Sequence, residues 1–468
     1  MLTYSFADIG SGSLYHHLYQ CVKNDILSGE LAVGTKLPSK RSFAKNLGVS
    51  NITVENAYAQ LQAEGYIYSI PKKGFYVQEV SGHMHLETPT VAKAFPQEVS
   101  HRQYVADFVS NRINPGQFPF SVWSKLLRET LLNRHEELLE TPPWGGILEL
   151  RRAISGHLKG FRNMEVSPEQ IIIGAGTEYL YGLLIQLLGR DKIYAVENPG
   201  YHKIAKIYEG NGVGVRFIPV DKTGMDVAQL ETSRAHVAHI SPSHHFPTGI
   251  VTPIGKRYEL LGWATREKGR YIIEDDYDSE FRLVGKPIPT LQGIDRSECV
   301  IYINTFTKSL ASTIRISYMV LPKHLLEEFE RRLSFYSCTV SNFEQYTLAR
   351  FIKEGCFEKH INRMRTHYRR IRDELTYAIR KSPLAACCEM TEEDAGLHFL
   401  LHIDTKLSDH DLLQKAKQAS IRLSSLSEYY CDGTPDVPAH MFPINYSGLT
   451  SEEIPFVVKL MTKCVFGG

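Results

Sequence analysis

The sequence predicts an α/β protein in which a small helical module precedes a larger domain built on a mainly parallel sheet. Three observations lead to this prediction. The first 80 residues indicate short helices followed by two strands. Beyond about residue 106, short apolar strands alternate with longer helical patterns, as in a sheet covered by helices. The length of 468 residues also exceeds what one core usually serves, so two or three domains are expected.

The N-terminal module contains three predicted helices separated by capping residues. The first, over residues 13–28, ends at Gly29 and repeats apolar side chains at intervals of three and four: Leu14, Leu18, Cys21, Val22 and Ile26. Ser39 and Ser50 are placed as N-caps of a second and a third helix, and Gly48 closes the second. The inward face of the third helix comprises Val54, Ala57, Tyr58 and Leu61.

Two strand-like runs follow these helices, at residues 66–70 and 75–77, around a turn at residues 71–74. Helix, turn, helix and hairpin together predict a winged helix-turn-helix over residues 1–80. Periodicity then fades, so residues 81–105 are interpreted as a linker. The larger domain is expected over residues 106–468, with a C-terminal α+β subdomain from about residue 335.

Composition excludes several classes of protein. No apolar run is long enough to span a bilayer, and the N-terminus lacks the regions of a signal peptide, so a cytoplasmic location and no membrane partner are expected. The eight cysteines show no Cys-x-x-Cys pairing, which indicates reduced packing residues and predicts no metal site. Net charge is only +1, but residues 36–45 hold four basic side chains and no acid. That cluster suits nucleic acid or an ordinary solvated helix face.

Predicted strands of the large domain cover residues 171–173, 192–196, 237–240, 271–273, 300–303 and 316–320. Ligands in such sheets gather at the carboxyl ends of strands. There, Gly174-Ala175-Gly176-Thr177 opens a helix whose amides can hold a phosphate, although the turn alone is weak evidence. The run Glu274-Asp275-Asp276-Tyr277-Asp278 needs a cation or a protonated nitrogen if it is buried. By itself the run equally suggests a metal site, and a solvated strand end is the alternative.

Lys308 follows the next strand, and Arg315 lies seven residues further along. A buried lysine can lose its proton and act as a nucleophile, whereas a surface lysine stays charged. Considered as one set, Asp275, Tyr277, Lys308 and Arg315 supply what pyridoxal 5'-phosphate requires: a carboxylate, a phenol, an imine-forming amine and a phosphate-binding guanidinium.

From about residue 105 onward the chain resembles fold-type I aminotransferases, and with its first 80 residues it resembles the MocR/GabR-type branch of GntR regulators. The resemblance is carried by ordered runs along the whole chain: Pro38-Ser39-Lys40-Arg41, Leu47-Gly48-Val49-Ser50, residues 57–66, Gly174-Ala175-Gly176-Thr177, Glu197-Asn198-Pro199-Gly200-Tyr201, residues 243–249 and residues 273–281. So many matches in one order make coincidence implausible.

The resemblance implies a role for each candidate residue. Lys308 would form the internal aldimine, Asp275 would pair with the pyridine nitrogen, and Tyr277 would bind the phenolic oxygen. Tyr201 would stack on the ring. Phosphate would be held by Arg315, by Thr305 and by the backbone of the glycine turn, which is represented by Ala175, Gly176 and Thr177.

Two departures from the aminotransferase pattern concern the substrate. Phe246 stands where aminotransferases have an asparagine that contacts the ring oxygen, a change shared with the regulator branch. The arginine that clamps a substrate carboxylate would fall at Gly448, which makes full transamination less expected. His202 or Lys203 is a candidate for a substitute charge in effector binding.

Helix-turn-helix proteins place the second helix in the major groove, so Ser50, Asn51, Thr53 and Asn56 are candidates for base or phosphate contacts. Arg41 is a candidate for phosphate or guanine. Lys72 and Lys73, at the tip of the wing, are candidates for the minor groove or the backbone. A winged helix used only for protein contact is the alternative.

The leading hypothesis is a pyridoxal-phosphate-dependent transcriptional regulator that binds a double-stranded operator and senses an amine, an amino acid or the cofactor itself. The alternatives are an active aminotransferase that carries a DNA-binding domain, and a regulator that senses through a cofactor-free pocket. The resemblance also implies a domain-swapped homodimer, which would suit paired half-sites on DNA.

Overall fold

A computed structural model describes residues 2–6, 13–80, 104–110, 114–283, 285, 288–394 and 396–467. It divides into two compact units, Met1–His101 and Arg102–Gly468. Most of the predicted linker, residues 81–103, lies outside the described residues.

The first unit is the winged helix-turn-helix that the sequence predicts. Its elements are α1 (Leu14–Ser28), α2 (Lys40–Leu47), α3 (Asn51–Ala63), β1 (Ile67–Ile70) and β2 (Gly74–Val77). The predicted caps are present, because Ser39 and Ser50 side chains accept backbone N–H groups of Ser42 and Thr53. The predicted inward residues of α3 are fully buried. In α1, however, Leu14 is exposed and Tyr19 is buried instead.

The hairpin is antiparallel, with Ile67 opposite Val77 and Ile70 opposite Gly74. The segment before α2 extends it, since Leu37 N–H donates to the Phe75 carbonyl at 2.9 Å. The wing is therefore joined through β2 to the segment that precedes α2.

The second unit is organised around an eight-stranded sheet in the order β4-β11-β10-β9-β8-β5-β6-β7. Its strands are β4 (Ile171–Gly174), β5 (Ile193–Asn198), β6 (Gly214–Asp221), β7 (Gly224–Met225), β8 (Val237–Ile240), β9 (Tyr271–Asp275), β10 (Val300–Thr305) and β11 (Ser317–Val320). The six predicted strands are confirmed. β11 runs antiparallel to both of its neighbours, and β6 and β7 were not predicted.

The helices that accompany this sheet in the chain are α4 (Phe120–Asn133), α5 (His135–Leu139), α6 (Leu148–Arg162), α7 (Thr177–Leu188), α8 (His202–Gly210), α9 (Val227–Thr232), α10 (Ile254–Arg266), α11 (Leu291–Ile294) and α12 (Lys323–Leu333). The edge strand β4 and the central strands β8 and β10 are buried along their whole length. Burial on both faces explains their continuous apolar sequences.

The C-terminal part is the expected α+β arrangement. It contains α13 (Asn342–Lys353), α14 (Cys356–Lys381), α15 (Asp409–Gln418), α16 (Ile454–Phe466) and the antiparallel strands β12 (Cys388–Thr391), β13 (His398–Ile403) and β15 (Met441–Asn445). A parallel pair, β3 (Ala106–Asp107) with β14 (Ile421–Arg422), connects the start of this unit to its C-terminal part.

All eight cysteines are free thiols, as predicted. Among the described residues, none of the helices combines the length and the apolar character needed to cross a bilayer.

Candidate functional site

A cavity of about 610 Å³ lies where β5, β9 and β10 end, at the carboxyl edge of the sheet. It brings together most of the side chains that the sequence singled out. The predicted residues on its wall are Gly176, Thr177, Tyr201, His202, Lys203, Asp275, Tyr277, Thr305, Lys308 and Arg315. Residues separated by up to 139 positions in the chain therefore share one chamber.

Asp275 is the last residue of β9 and is buried in the cavity wall. Its Oδ2 accepts a hydrogen bond from the Tyr181 hydroxyl at 2.5 Å and lies 3.4 Å from His239 Nε2. Its Oδ1 is buried without a hydrogen-bond partner. A buried acceptor left open in this way suits an N–H donor on a ligand.

Tyr181 and His239 hold this carboxylate but were not predicted. Tyr181 lies in the middle of α7, and His239 lies in β8, where its Nδ1 is 2.6 Å from the Tyr208 hydroxyl. Both residues lie in segments whose apolar sequence indicates only that they pack in the core. No local signal distinguished them from core residues.

Lys308 lies on the same wall, after β10, and its Nζ is 5.9 Å from the centroid of the Tyr277 ring. Burial lowers the pKa of Lys308 to about 8, opposed by the negative charge of Asp278. A large fraction of this amine is therefore neutral near pH 8 and is available as a nucleophile. The Tyr277 hydroxyl lies 3.3 Å from His244 Nδ1.

The predicted phosphate region surrounds the N-terminus of α7. Gly176 adopts a left-handed φ of +95°, and the Arg315 guanidinium fills the space beside it. Arg315 Nη2 donates to the Ala175 carbonyl at 3.4 Å and lies 3.6 Å from Glu178 Oε2. Thr305 Oγ1, at the end of β10, bonds to Thr307 Oγ1 at 2.8 Å. Helix-terminal amides, hydroxyls and a guanidinium form an anion-binding set.

Ala175 departs from the prediction. Its N–H donates to Thr339 Oγ1 at 2.9 Å, and it is absent from the cavity wall. The Gly176 amide is likewise directed to the Gly174 carbonyl at 2.9 Å. Both amides of the glycine turn are therefore already bonded to protein acceptors. The amides of Thr177 and Glu178, in the first turn of α7, are better placed for a phosphate than that of Ala175.

The acidic run at the end of β9 does not converge on a metal. Asp276 Oδ2 pairs with Arg162 at 2.9 Å, and Asp278 Oδ2 lies 2.8 Å from His244 Nδ1. Glu274 pairs with the buried Arg257 guanidinium at 3.4 Å. Each carboxylate thus has its own partner. Within the described part of the chain, no group of three or more His, Cys, Asp or Glu side chains is arranged to bind a metal.

Tyr201, expected to stack on the cofactor ring, and the two proposed effector residues that follow it have mixed surroundings. Tyr201 is 51% exposed, and its ring meets that of Phe246 edge-on, with centroids 6.0 Å apart. Lys203 forms an ion pair with Glu178. His202 Nε2 is buried without a hydrogen-bond partner. The charge of Lys203 is therefore already compensated, whereas His202 keeps one nitrogen open.

Gly448 does not lie at the cavity, which corrects the position assigned to the missing carboxylate clamp. It is exposed after β15 and is absent from the cavity wall. In this part of the chain, β13 reaches the cavity instead, because its first residue, His398, lies on the cavity wall. Within the sheet, His398 pairs with Asn445 of β15. Among the described residues of the wall, Arg315 is the single arginine.

Two buried titratable side chains on the cavity wall, Glu197 and His398, were not predicted. Burial raises the pKa of Glu197 to about 8, although the Ser241 N–H donates to its Oε2 at 3.0 Å. Burial, helped by the charges of His244 and Lys308, holds the pKa of His398 well below its ordinary value. Both side chains are therefore predominantly neutral at pH 7.

In the first unit, the predicted DNA-contacting residues lie at the start of α2, at the N-cap and in the first half of α3, and at the hairpin turn. Most of them are exposed: Arg41, Ser50, Asn51, Asn56, Lys72 and Lys73. Thr53 is half-buried, and its Oγ1 lies 2.9 Å from the Oγ of Ser50, the residue that caps α3. Ile52 was not predicted, yet 67% of its surface is exposed on this helix. An exposed isoleucine beside polar groups suits contact with a thymine methyl.

Comparison with protein families defines the class. Residues 14–77 match the family of bacterial regulatory proteins of the gntR type, and residues 109–459 match aminotransferases of class I and II, a pyridoxal-phosphate-dependent family. The chain is similar to the multiple substrate aminotransferase of Thermococcus profundus, with a TM-score of 0.68 at 21% identity over 78% of this chain and 92% of that one. This likeness shows the fold of the second unit.

Full-length relatives share both parts. The chain is 36% identical to the HTH-type transcriptional regulator YdeL of Bacillus subtilis, over 94% of each protein. It is 31% identical to the probable rhizopine catabolism regulatory protein MocR of Rhizobium meliloti, over 93% of this chain and 90% of that protein. The chain therefore belongs to the MocR/GabR-type subfamily of GntR transcriptional regulators.

Proposed function

We propose that this regulator binds pyridoxal 5'-phosphate in the cavity, senses an amino compound or the cofactor there, and binds an operator through its winged helix-turn-helix. One observation carries the proposal: Lys308, whose pKa is lowered to about 8, shares a cavity with the buried, unpartnered Oδ1 of Asp275. A packed interior without a ligand site ordinarily contains neither a buried lysine with a lowered pKa nor a buried carboxylate oxygen without a hydrogen-bond partner.

Each part of the cofactor has a candidate partner on the wall. Lys308 is the amine for the aldehyde, Asp275 Oδ1 is the acceptor for the pyridine N–H, and Tyr277 is the partner of the phenolic oxygen. Arg315, Thr305 and the first turn of α7 are the partners of the phosphate. When bound, the cofactor supplies an electron-withdrawing ring conjugated to the captured amine.

The DNA-binding part of the proposal rests on α3 and the wing. Asn51 and Asn56 are proposed for base edges, while Arg41, Lys72 and Lys73 are proposed for phosphates or the minor groove. Residues 81–105 are proposed as the linker between the two functions. A domain-swapped homodimer that spans two half-sites completes the proposal.

Borohydride reduction of the full chain with pyridoxal phosphate, followed by peptide mass mapping, tests the cofactor assignment. We expect label on Lys308 in the parent chain and none at that position in Lys308→Ala. Lys268→Ala, which alters an exposed lysine outside the cavity, should label normally. Lys308→Ala should also lose the effector-dependent change in an operator footprint. Unlabelled Lys308 at saturating cofactor would refute the proposal.

An active aminotransferase is the second candidate, because Lys308, Asp275 and Tyr277 line one cavity of aminotransferase fold. A multiple-turnover assay with many amino donors and a keto-acid acceptor separates the two candidates. Sustained turnover would favour the enzyme. Spectral change and an altered footprint without turnover would favour the sensor.

A further inference from the structure

Three aromatic rings and an imidazole form one side of the cavity, the aromatic wall: Tyr201, Phe246, His398 and Tyr429. The Phe246 ring is at its centre. Its centroid lies 6.0 Å from that of Tyr201, 5.4 Å from that of His398 and 5.2 Å from that of Tyr429. The planes meet at 89°, 72° and 88°, so the rings contact one another edge to face. This wall offers aromatic surface to a ligand.

The aromatic wall supplies little positive charge. His398 Nε2 is 3.2 Å from the Pro247 carbonyl, an acceptor that engages this nitrogen as a donor. Burial and the charges of His244 and Lys308 keep the pKa of His398 well below its usual value, so the imidazole is neutral at pH 7. The Tyr429 hydroxyl lies 3.0 Å from Ser424 Oγ. A ligand carboxylate at this wall would meet neutral groups.

The cations elsewhere on the described cavity surface already have protein or cofactor partners. Lys203 pairs with Glu178, and Arg315 lies near that same carboxylate and is assigned to the phosphate. Besides Glu178, the acidic side chains Asp275 and Asp278 line the cavity, together with Glu197, which is predominantly neutral at pH 7 because burial raises its pKa to about 8. Burying a further carboxylate here without a free cation carries a desolvation cost, whereas an incoming ammonium meets acidic neighbours.

We infer that the effector is a primary amine with an aromatic body and no carboxylate, held against Tyr201, Phe246 and Tyr429. This inference rests on the proposed function, since it names the ligand class of the same cavity. The aromatic wall accepts the ring of the ligand by edge or face contact. The amino group is directed to the region of Lys308 and Asp278, where the cavity is acidic.

Calorimetric titration of the cofactor-loaded full chain tests this inference with three probes. 2-Phenylethylamine and L-phenylalanine differ only in the carboxylate, and ethylamine lacks the ring. We expect 2-phenylethylamine to bind at least tenfold more tightly than either of the others. The absorbance of the bound cofactor, recorded in the same titration, should change at the same amine concentrations.

Phe246→Ala should reduce the preference for 2-phenylethylamine over ethylamine at least fivefold. Phe217→Ala is the matched control, because Phe217 lines the cavity but is not part of the aromatic wall, and it should leave the preference unchanged. Thermal melting of each variant verifies folding. His398→Arg should raise the affinity for L-phenylalanine by adding the missing cation.

The inference is overturned if L-phenylalanine or ethylamine binds as tightly as 2-phenylethylamine while borohydride still traps the cofactor on Lys308. In that outcome the proposed function survives and only the ligand class is wrong. If Lys308 is not trapped, the proposed function and this inference fail together.

Discussion

Gly176 lies directly against the guanidinium of Arg315: a Cβ built on the glycine would be 2.3 Å from Arg315 Nη2. A side chain at position 176 would also have to adopt the left-handed φ of +95°. Gly176→Ala should therefore displace Arg315 and weaken cofactor binding at least tenfold, measured by equilibrium dialysis with pyridoxal phosphate. Gly182→Ala, within the helix that Gly176 precedes and with nothing within 4 Å of its Cβ, is the control and should bind normally.

A double variant separates displacement of Arg315 from simple strain. If both single changes act through the guanidinium, Gly176→Ala combined with Arg315→Ala should cost no more affinity than Arg315→Ala alone. Additive losses would contradict this account.

Removing one partner of the buried ion pair between Arg162 and Asp276 is expected to destabilise the second unit. Both side chains are almost fully buried, with a 2.9 Å contact, and the Tyr302 hydroxyl also donates to Asp276 Oδ2 at 2.7 Å. Arg162→Met should cost about 3–5 kcal/mol of unfolding free energy, because it leaves an uncompensated buried charge. Adding Asp276→Asn should recover part of that loss in urea denaturation. A loss below about 1 kcal/mol would show that the carboxylate is compensated elsewhere.

Cofactor capture should depend on pH through Lys308. Because the neutral amine is the nucleophile and burial lowers the pKa of Lys308 from 10.5 to about 8, the rate of capture should rise with pH with a midpoint near 8. The charge of Asp278 raises that pKa, so Asp278→Asn should move the midpoint to lower pH. Stopped-flow absorbance over pH 6–10 measures both midpoints. A midpoint above 10 would mean that the amine is solvated.

Binding to DNA should respond differently to changes in α3 and in the wing. Lys73→Ala should weaken binding to all sequences and reduce the slope of log K against log salt by about 1. Asn51→Ala should instead change base preference at a single position, by about 1–3 kcal/mol for a lost bidentate contact. Ile52→Ala should reduce the preference for thymine at a single position, because it removes the apolar contact with the thymine methyl. Fluorescence anisotropy on an operator and on single-base variants, at several salt concentrations, distinguishes the two effects. A salt-slope change for Ile52→Ala would count against direct base contact.

The sequence alone was sufficient to predict helix boundaries and strand positions that depend on nearby residues. Ser39, Gly48 and Ser50 located the helix boundaries of the first unit, because caps act within a single turn. Continuous apolar runs located the central strands. β6 was missed because its outward residues, such as Arg216, and its internal Pro219 interrupt the pattern of a buried strand.

Only the tertiary structure decided what surrounds each functional group. Lys308 and Asp275 stand out in the sequence, but the partners of Asp275, Tyr181 and His239, come from a helix and a strand whose patterns indicate packing alone. The error at Gly448 has the same origin, since neighbours in the sequence do not reveal which residue of the C-terminal sheet faces the cavity. Local backbone preferences are encoded within a few residues. Cavity walls, ion-pair partners and shifted pKa values instead depend on contacts between segments far apart in the chain.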